Sequence, residues 1–316
     1  MGRYLIRRLI QLIPLVIGIT IITFGLANLV PGSPVSDLEF NPDIRPVDKQ
    51  RIIHNLGLDQ PVYIRYIQWI SNVARGDLGI SLVTYKPVTQ SILQKLPNTL
   101  LLTVSALLFA LIVSIPVGTY AAVKRNSWFD QITTVGSVAG FAVPSFWLGL
   151  MMILVFSVKF HLLPSGGVYT LGHATLADRA KHLIMPAFVL GFVQMAAWTR
   201  YIRSQMIEVL RQDYMRTAEA KGLVQAKVIF RHGLRNAILP LVTLIGLDLP
   251  ALFGGSVIIE QIFTWNGLGR FILDAVSKRD YTVVMGITLF ISTLTVVANL
   301  LADLAYGLLD PRITYS

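Results

Sequence analysis

Long apolar stretches alternate with polar connections along the chain. Six stretches carry almost no charge, and they cover residues 9–30, 98–123, 131–158, 183–199, 237–259 and 281–302. An α-helix needs about 20 apolar residues to cross the hydrocarbon core of a bilayer. A backbone in lipid must satisfy its own hydrogen bonds, so each stretch is expected to be helical. The pattern therefore predicts an all-α integral membrane protein with six transmembrane helices.

Two of these stretches differ from a simple span. The fourth, residues 183–199, is short, so we expect its helix to extend to residue 201 or beyond. The third, residues 131–158, is long enough either to tilt or to break near residues 140–144, where glycine and proline occur.

The composition fits a membrane protein. Hydrophobic residues make up 54% of the 316 residues and charged residues only 14%, whereas about 25% of a soluble domain is charged. The net charge of +10 would suggest nucleic-acid binding in a soluble protein. Here the basic residues flank apolar spans, so no nucleic-acid partner is predicted. The chain has no cysteine, which excludes disulfides and thiolate chemistry.

The apolar spans divide the chain into three regions. Residues 1–30 are predicted to be an N-terminal segment with the first transmembrane helix. Their apolar run of 22 residues exceeds the roughly 7 to 15 residues of a signal-peptide core, and no small-residue cleavage site follows it. Residues 31–97 are predicted to be an external insertion, with short amphipathic helices at 48–56 and 61–73. Residues 98–316 form a core domain with the other five spans.

Positive charge sets the predicted orientation. The polar loop at residues 200–236 holds eight lysines and arginines, and such short segments beside span ends decide topology, whereas long loops count for little. With an even number of spans, both termini lie on the side of this loop. We therefore predict that both termini and residues 200–236 are cytoplasmic.

This loop contains an ordered string, Y-x-x-T-A-x-A-K-G-L followed by H-x-L-x-N-x-x-x-P. The matching residues are Tyr214, Thr217, Ala218, Ala220, Lys221, Gly222, Leu223, His232, Leu234, Asn236 and Pro240. The string resembles the cytoplasmic coupling loop of ATP-binding-cassette importer permeases, in particular the oligopeptide/dipeptide permease branch. The resemblance extends to an external G-D-x-G-x-S string at residues 76–81 and to the block G-G-S-V-x-x-E-x-x-F-x-W-x-G-L-G at residues 254–269.

The resemblance implies a type I importer permease fold in the cytoplasmic (inner) membrane. It implies a transport subunit, not an enzyme, that forms half of a translocation path for di- or oligopeptides. The implied partners are a second related permease, two ATP-binding subunits, a solute-binding protein and the surrounding membrane lipid. ATP and Mg would bind to the partner ATPases, and this chain is expected to bind no cofactor itself.

In this family a short helix in the coupling loop sits in a groove on the ATPase. Alanine favours a helix at residues 217–221 and Gly222 favours its end; small side chains at Ala218 and Ala220 are expected to allow a partner to approach. The chain departs from the general E-A-A-x-x-x-G pattern, because Arg216 stands at the glutamate position. The predicted ATPase-coupling residues are Tyr214, Arg216, Thr217, Ala218, Ala220, Lys221, Gly222, Leu223, His232 and Asn236.

The resemblance implies that the block at residues 254–269 faces the translocation path and the side of the solute-binding protein. Predicted path residues are Asp248, Gly254, Gly255, Ser256 and Glu260, and predicted docking residues for an external partner are Trp265, Gly267, Gly269 and Arg270. Two interpretations of the Gly254-Gly255 pair are open, close helix packing or a local break, and Trp265 could equally be an interfacial anchor. Asp248 inside a span would meet either the solute or a structural partner on another helix.

Other functions have weaker support. The chain lacks a phosphate-binding loop and the H-E-x-x-H and G-x-S-x-G patterns, and its histidines have no metal-ligand spacing. An ion-coupled secondary transporter would need charged residues in the spans and often inverted repeats, but only Asp248 lies well inside a span and no repeat is visible. Within the family, nickel chelates, glutathione or a sugar-like opine are alternative solutes.

Overall fold

The computed structural model describes residues 2–29, 59–173 and 175–309 of the chain. Its α-helices are α1 (Gly2–Leu29), α2 (Val62–Ala74), α3 (Val88–Val123), α4 (Trp128–Ala142), α5 (Ser145–Met152), α6 (Leu176–Val209), α7 (Asp213–Ala220), α8 (Gln225–Lys227), α9 (Arg235–Ala237), α10 (Leu239–Ile262), α11 (Leu268–Ser277) and α12 (Tyr281–Leu309). Two π-helical turns follow α5 and α8: π1 (Ile153–Lys159) and π2 (Val228–Leu234). These residues contain no β-strand, so the predicted all-α class is confirmed.

Three of these helices are long and apolar enough to cross a membrane: α3, α6 and α12 over Tyr281–Leu300. Two further spans are possible if each bent helix pair counts as one, and the apolar part of α1, Ile10–Gly25, is shorter. The count of six spans therefore stays a prediction. The predicted extension of the fourth span is confirmed, since α6 runs over 34 residues.

The predicted break in the third span is also present. Helix α4 ends before Val143, and Pro144 is the N-cap of α5. The two halves of this segment meet at 101°. Proline removes a backbone donor and clashes with the preceding turn, which explains why the helix stops there. The second bent pair lies at the end of the polar loop at residues 200–236, where Gln225–Ala237 and Leu239–Pro250 meet at 43°.

The described chain divides into two compact units. The first unit comprises residues 1–97 and 271–296, and the predicted helix at 61–73 is present in it as α2. Phe24 of α1 packs against the rings of Tyr66 and Trp69 on α2, and the hydroxyls of Thr20 and Tyr66 are 2.8 Å apart. The predicted helix at 48–56 lies outside the described residues, as does the end of the chain from residue 310 onward.

The G-D-x-G-x-S string forms a turn in the first unit. Asp77 Oδ1 accepts the Gly79 amide at 2.8 Å, and the hydroxyl of Ser81 donates to Asp280 at 2.5 Å. Asp280 is 3% exposed and lies just before α12, where its other oxygen accepts amides of Leu82 and Val283. The string therefore fixes the turn at residues 76–81 to the start of α12.

The second unit comprises residues 98–270 and 297–316, and α6 supplies much of its core. Met185, Trp198, Ile202 and Met206 along this helix are each at most 1% exposed. Helices α3 and α6 approach closely, because a Cβ at Gly191 would lie 2.5 Å from a backbone carbonyl of α3. Helix α6 therefore runs from the core of this unit into the polar loop at residues 200–236.

Candidate functional site

Helix α7 is the short helix predicted in the coupling loop. It begins at Asp213, four residues before the predicted start, and ends at Ala220. Lys221 and Gly222 donate to carbonyls of the last turn, at 3.1 and 2.9 Å. Gly222 has φ +74°, a left-handed conformation that glycine adopts without steric cost. The predicted helix stop at Gly222 is confirmed.

One face of α7 packs against its own chain. Met215 and Ala218 are 1% and 6% exposed and form a small apolar cluster with Val228 of π2. This corrects one expectation: the small side chain of Ala218 permits close packing inside the loop, not the approach of a partner. Leu223 also packs against this cluster. The sequence pattern could have shown this, since Met215 and Ala218 are three residues apart on one helix face.

The opposite face of α7 is exposed. Tyr214, 43% exposed, lies there, and the exposed coupling residues with it are Arg216, Thr217, Ala220, Lys221 and Gly222. Beyond α6, the exposed charge of the loop is predominantly basic, with Arg211, Arg216, Lys221, Lys227, Arg231 and Arg235 against Asp213 and Glu219. A surface of this kind favours an acidic partner surface.

Sequence analysis missed two exposed apolar residues in the same loop. Val224 is 73% exposed and Phe230, on π2, is 60% exposed. Both lie in the loop between predicted spans, in apolar runs of two and three residues that are too short to give a periodic signal. His232 and Asn236 are brought together, because the Asn236 amide donates to the His232 carbonyl at 2.8 Å. Their contact is thus a local helix contact within this chain.

An ion pair joins α6, the helix that leads into the loop, to α4. The Arg203 guanidinium on α6 donates through Nε to Asp130 Oδ1 and through Nη2 to Oδ2 at 2.8 Å on α4. Asp130 also accepts the Asn126 amide at 2.9 Å, and its side chain is 3% exposed, against 24% for Arg203. Sequence analysis assigned neither residue a role, because they are 73 positions apart and each lies at a polar end of an apolar stretch.

The block at residues 254–270 is organised around Glu260. This side chain is fully buried; Thr99 donates to its Oε1 at 2.7 Å and the Arg270 amide to its Oε2 at 3.0 Å. A Cβ at Gly267 would lie 2.5 Å from the carboxyl atoms of Glu260, and one at Gly269 would lie 2.5 Å from Cα of Val257. The G-L-G pattern is therefore explained by the space that the carboxylate and α10 occupy.

The predicted docking residues are largely internal. Trp265 is 0% exposed, and its Nε1 donates to the Asn98 carbonyl at 2.9 Å, so the structure does not place it as an interfacial anchor. The Arg270 side chain donates to the Thr264 carbonyl at 2.9 Å. Among the predicted path residues, Ser256 and Glu260 are buried, and the Ser256 hydroxyl donates to its own helix at Phe253.

The glycine pair and Asp248 have different surroundings. Helix α10 continues through Gly254 and Gly255 without a break; a Cβ at Gly254 would meet nothing within 4 Å, and one at Gly255 would meet only Leu190 at 3.4 Å. Asp248 is half-buried and accepts the Trp198 indole N–H at 2.9 Å. A hydrogen bond to another helix was one of the two alternatives for this carboxylate. Within the described residues, no cluster of three metal-ligating side chains occurs.

The family models for binding-protein-dependent transport systems match most of the chain. The inner membrane component model matches residues 114–315 and its N-terminal companion matches residues 1–103. The solved MetNI methionine ABC transporter, in an inward-facing conformation, has a similar fold, with a TM-score of 0.58 and 16% identity over 69% of this chain and 96% of that chain. The predicted importer permease fold is confirmed.

Several curated relatives match over their full length. The oligopeptide transport system permease AppB of Bacillus subtilis (strain 168) is 46% identical and covered 100% in both chains. The dipeptide permease DppB of Escherichia coli (strain K12) is 41% identical, over 100% of this chain and 99% of the relative. The glutathione permease GsiC of Escherichia coli O6:H1 is 38% identical over 100% of both chains. This chain therefore belongs to the family of binding-protein-dependent transport system inner membrane components, as a permease subunit of an ABC importer of the oligopeptide/dipeptide branch.

Proposed function

We propose that this chain forms half of the path by which an ATP-driven importer carries di- or oligopeptides across the cytoplasmic membrane. The observation that carries the proposal is the full-length identity of 46% and 41% to permeases named for oligopeptides and dipeptides. Glutathione is the second candidate solute, because a glutathione permease is 38% identical over the full length. Uptake of labelled dipeptides, longer peptides and glutathione, in competition with one another, distinguishes these solutes.

The proposed partners are a second related permease, two ATP-binding subunits that hold ATP and Mg, and a solute-binding protein. We assign the ATPase contact to the exposed face of α7, where Tyr214, Arg216, Ala220 and Lys221 are accessible. The internal face, through Met215 and Ala218, holds α7 on π2. A partner that moves α7 thereby also moves π2 and the start of α10, so binding energy at the loop can shift the population of two permease states.

Asp248, Gly254 and Gly255 on α10 remain the proposed path residues. The two glycines add little bulk to α10, and Asp248 is only half-buried. We propose that Ser256 and Glu260 act on the path only by stabilising the structure around it, because neither side chain is exposed. We likewise propose that the external partner docks on the surface of this block. Its shape is maintained by Trp265, Gly267, Gly269 and Arg270.

Replacing Ala220 with tryptophan should abolish recovery of the ATPase subunits with the tagged permease. Ala220 is exposed at the end of α7, so a large ring there blocks a partner without disturbing the internal face. The matched control is Ala74→Trp, the same change at an exposed position on α2, which should leave ATPase recovery unchanged. Normal ATPase recovery with Ala220→Trp would contradict the assignment of this face.

Cysteine labelling should place residue 59 outside and residue 225 inside. The chain has no cysteine, so Asp59→Cys and Gln225→Cys each give a single labelling site. An impermeant maleimide added to intact cells should label residue 59, and it should label residue 225 only after permeabilisation. The reverse pattern would overturn the proposed orientation with cytoplasmic termini.

A further inference from the structure

An apolar cleft of about 350 Å³ lies in the first unit, between α1 and α12. Ile19, Ile22 and Ala27 line it from α1, and Val284 and Thr288 line it from α12. Its volume is within the range of roughly 300–1,000 Å³ that is usual for small-molecule sites. In the proposed orientation, these residues belong to the outer half of both spans, so the cleft lies at the depth of the outer leaflet.

Two polar groups at one end of the cleft lack partners. Arg279 lines the cleft, and no hydrogen bond or ion pair to its guanidinium occurs within the described part of the chain. Among the described residues, the neighbouring carboxylate of Asp280 forms no ion pair with it and instead accepts hydrogen bonds from Ser81 and two backbone amides. Tyr281 also lines the cleft and is 8% exposed, and its buried hydroxyl has no hydrogen-bond partner.

We propose that this cleft binds one phospholipid with an anionic headgroup. One acyl chain lies along the apolar wall, and the phosphate accepts hydrogen bonds from Arg279, with Tyr281 available as a further donor. Arginine is suited to this role, because its planar guanidinium binds phosphate in a bidentate manner. Arg279 lies two residues before the start of α12, which is the level at which headgroups lie in the predicted topology.

The polar groups favour a lipid over a transmembrane helix of a partner permease. A partner helix would present mainly apolar side chains, which offer no anionic acceptor to the guanidinium and leave the buried Tyr281 hydroxyl without a partner. Acyl chains are as apolar as leucine side chains, so the apolar wall of the cleft does not favour one lipid over another. Selectivity must therefore come from the headgroup charge at Arg279. This inference does not depend on which solute the importer carries.

The test is a lipid competition on the assembled transporter. The complex is reconstituted in nanodiscs with equal phosphatidylglycerol and phosphatidylcholine of the same acyl chains, and native mass spectrometry measures the lipid that is retained. The wild type should retain phosphatidylglycerol about fivefold over phosphatidylcholine, the effect of one basic residue at a lipid surface, and Arg279→Gln should remove this preference. The matched control, Lys278→Gln, removes a neighbouring charge that does not line the cleft and should keep the preference.

A second variant tests the apolar wall. Thr288→Trp fills the cleft and should reduce the retention of both lipids, while the transporter stays assembled. Equal retention by wild type and Arg279→Gln, or unchanged retention with Thr288→Trp, would overturn the proposal. So would efficient cross-linking of a cysteine at residue 284 to the partner permease, since a helix would then occupy the cleft.

Discussion

Replacing Arg203 with methionine should destabilise the transporter more than replacing Asp130 with asparagine. Removal of one partner from a buried ion pair leaves the other charge without compensation, which typically costs about 3–5 kcal/mol. Asp130 is the deeper partner, with a side-chain exposure of 3% against 24% for Arg203. The carboxylate that Arg203→Met leaves behind is therefore shielded from water, whereas the guanidinium that Asp130→Asn leaves behind can reach it.

The double variant Asp130→Asn/Arg203→Met provides the control. Since neither charge remains, it should be more stable than Arg203→Met alone, and the difference measures the coupling between the two residues. Thermal inactivation of the purified complex gives the ranking. A double variant that is as unstable as the sum of the single variants would show that the two side chains act independently.

The same variants test how movement of the coupling loop reaches the membrane. Arg203 lies six residues before the end of α6, and α7 begins four residues after that end. The pair ties this part of α6 to the first turn of α4. We expect the double variant to retain ATPase subunits and ATP hydrolysis while peptide uptake falls, because the loop is then less firmly coupled to α4.

Hydrophobic patterning predicted the parts of the fold that depend on local signals. The break at Pro144, the stop at Gly222 and the short amphipathic helix α2 each follow from residues within one turn of the feature. The ordered string at residues 214–240 is likewise local, but its assignment as a coupling loop comes from the resemblance to a permease family. These signals are local in sequence, so one chain is enough to detect them.

Contacts between distant positions could not be predicted in this way. Nothing in the sequence pairs Asp130 with Arg203 or Thr99 with Glu260, since each pairing arises from how helices pack. The sequence also did not show that Trp265 is buried, because tryptophan is common at membrane interfaces. In the structure its indole donates to the carbonyl of Asn98. The resemblance to a permease family thus identified the block at residues 254–270, while the structure shows that Glu260 and Trp265 form hydrogen bonds within their own chain.

Replacing Gly267 with alanine should cause a large loss of stability and uptake. The new Cβ would lie 2.5 Å from the carboxyl atoms of Glu260, and this side chain cannot swing away because it is fully buried and held by Thr99 and the Arg270 amide. Overpacking costs about 1–3 kcal/mol, and loss of a hydrogen bond to a charged group about 1.5–3 kcal/mol more. Gly136→Ala, where a Cβ meets nothing within 4 Å, is the control that should be tolerated.

A second substitution distinguishes the carboxylate from the backbone as the cause. Glu260→Asp shortens the side chain by one methylene, so it should partly restore the stability of Gly267→Ala. It should not restore Gly269→Ala, because the Cβ at that position would meet Cα of Val257 at 2.5 Å. Thermal inactivation and peptide uptake of both double variants measure the difference. Equal rescue of the two glycine variants, or a stable Gly267→Ala, would contradict the role of Glu260 as the group around which this block folds.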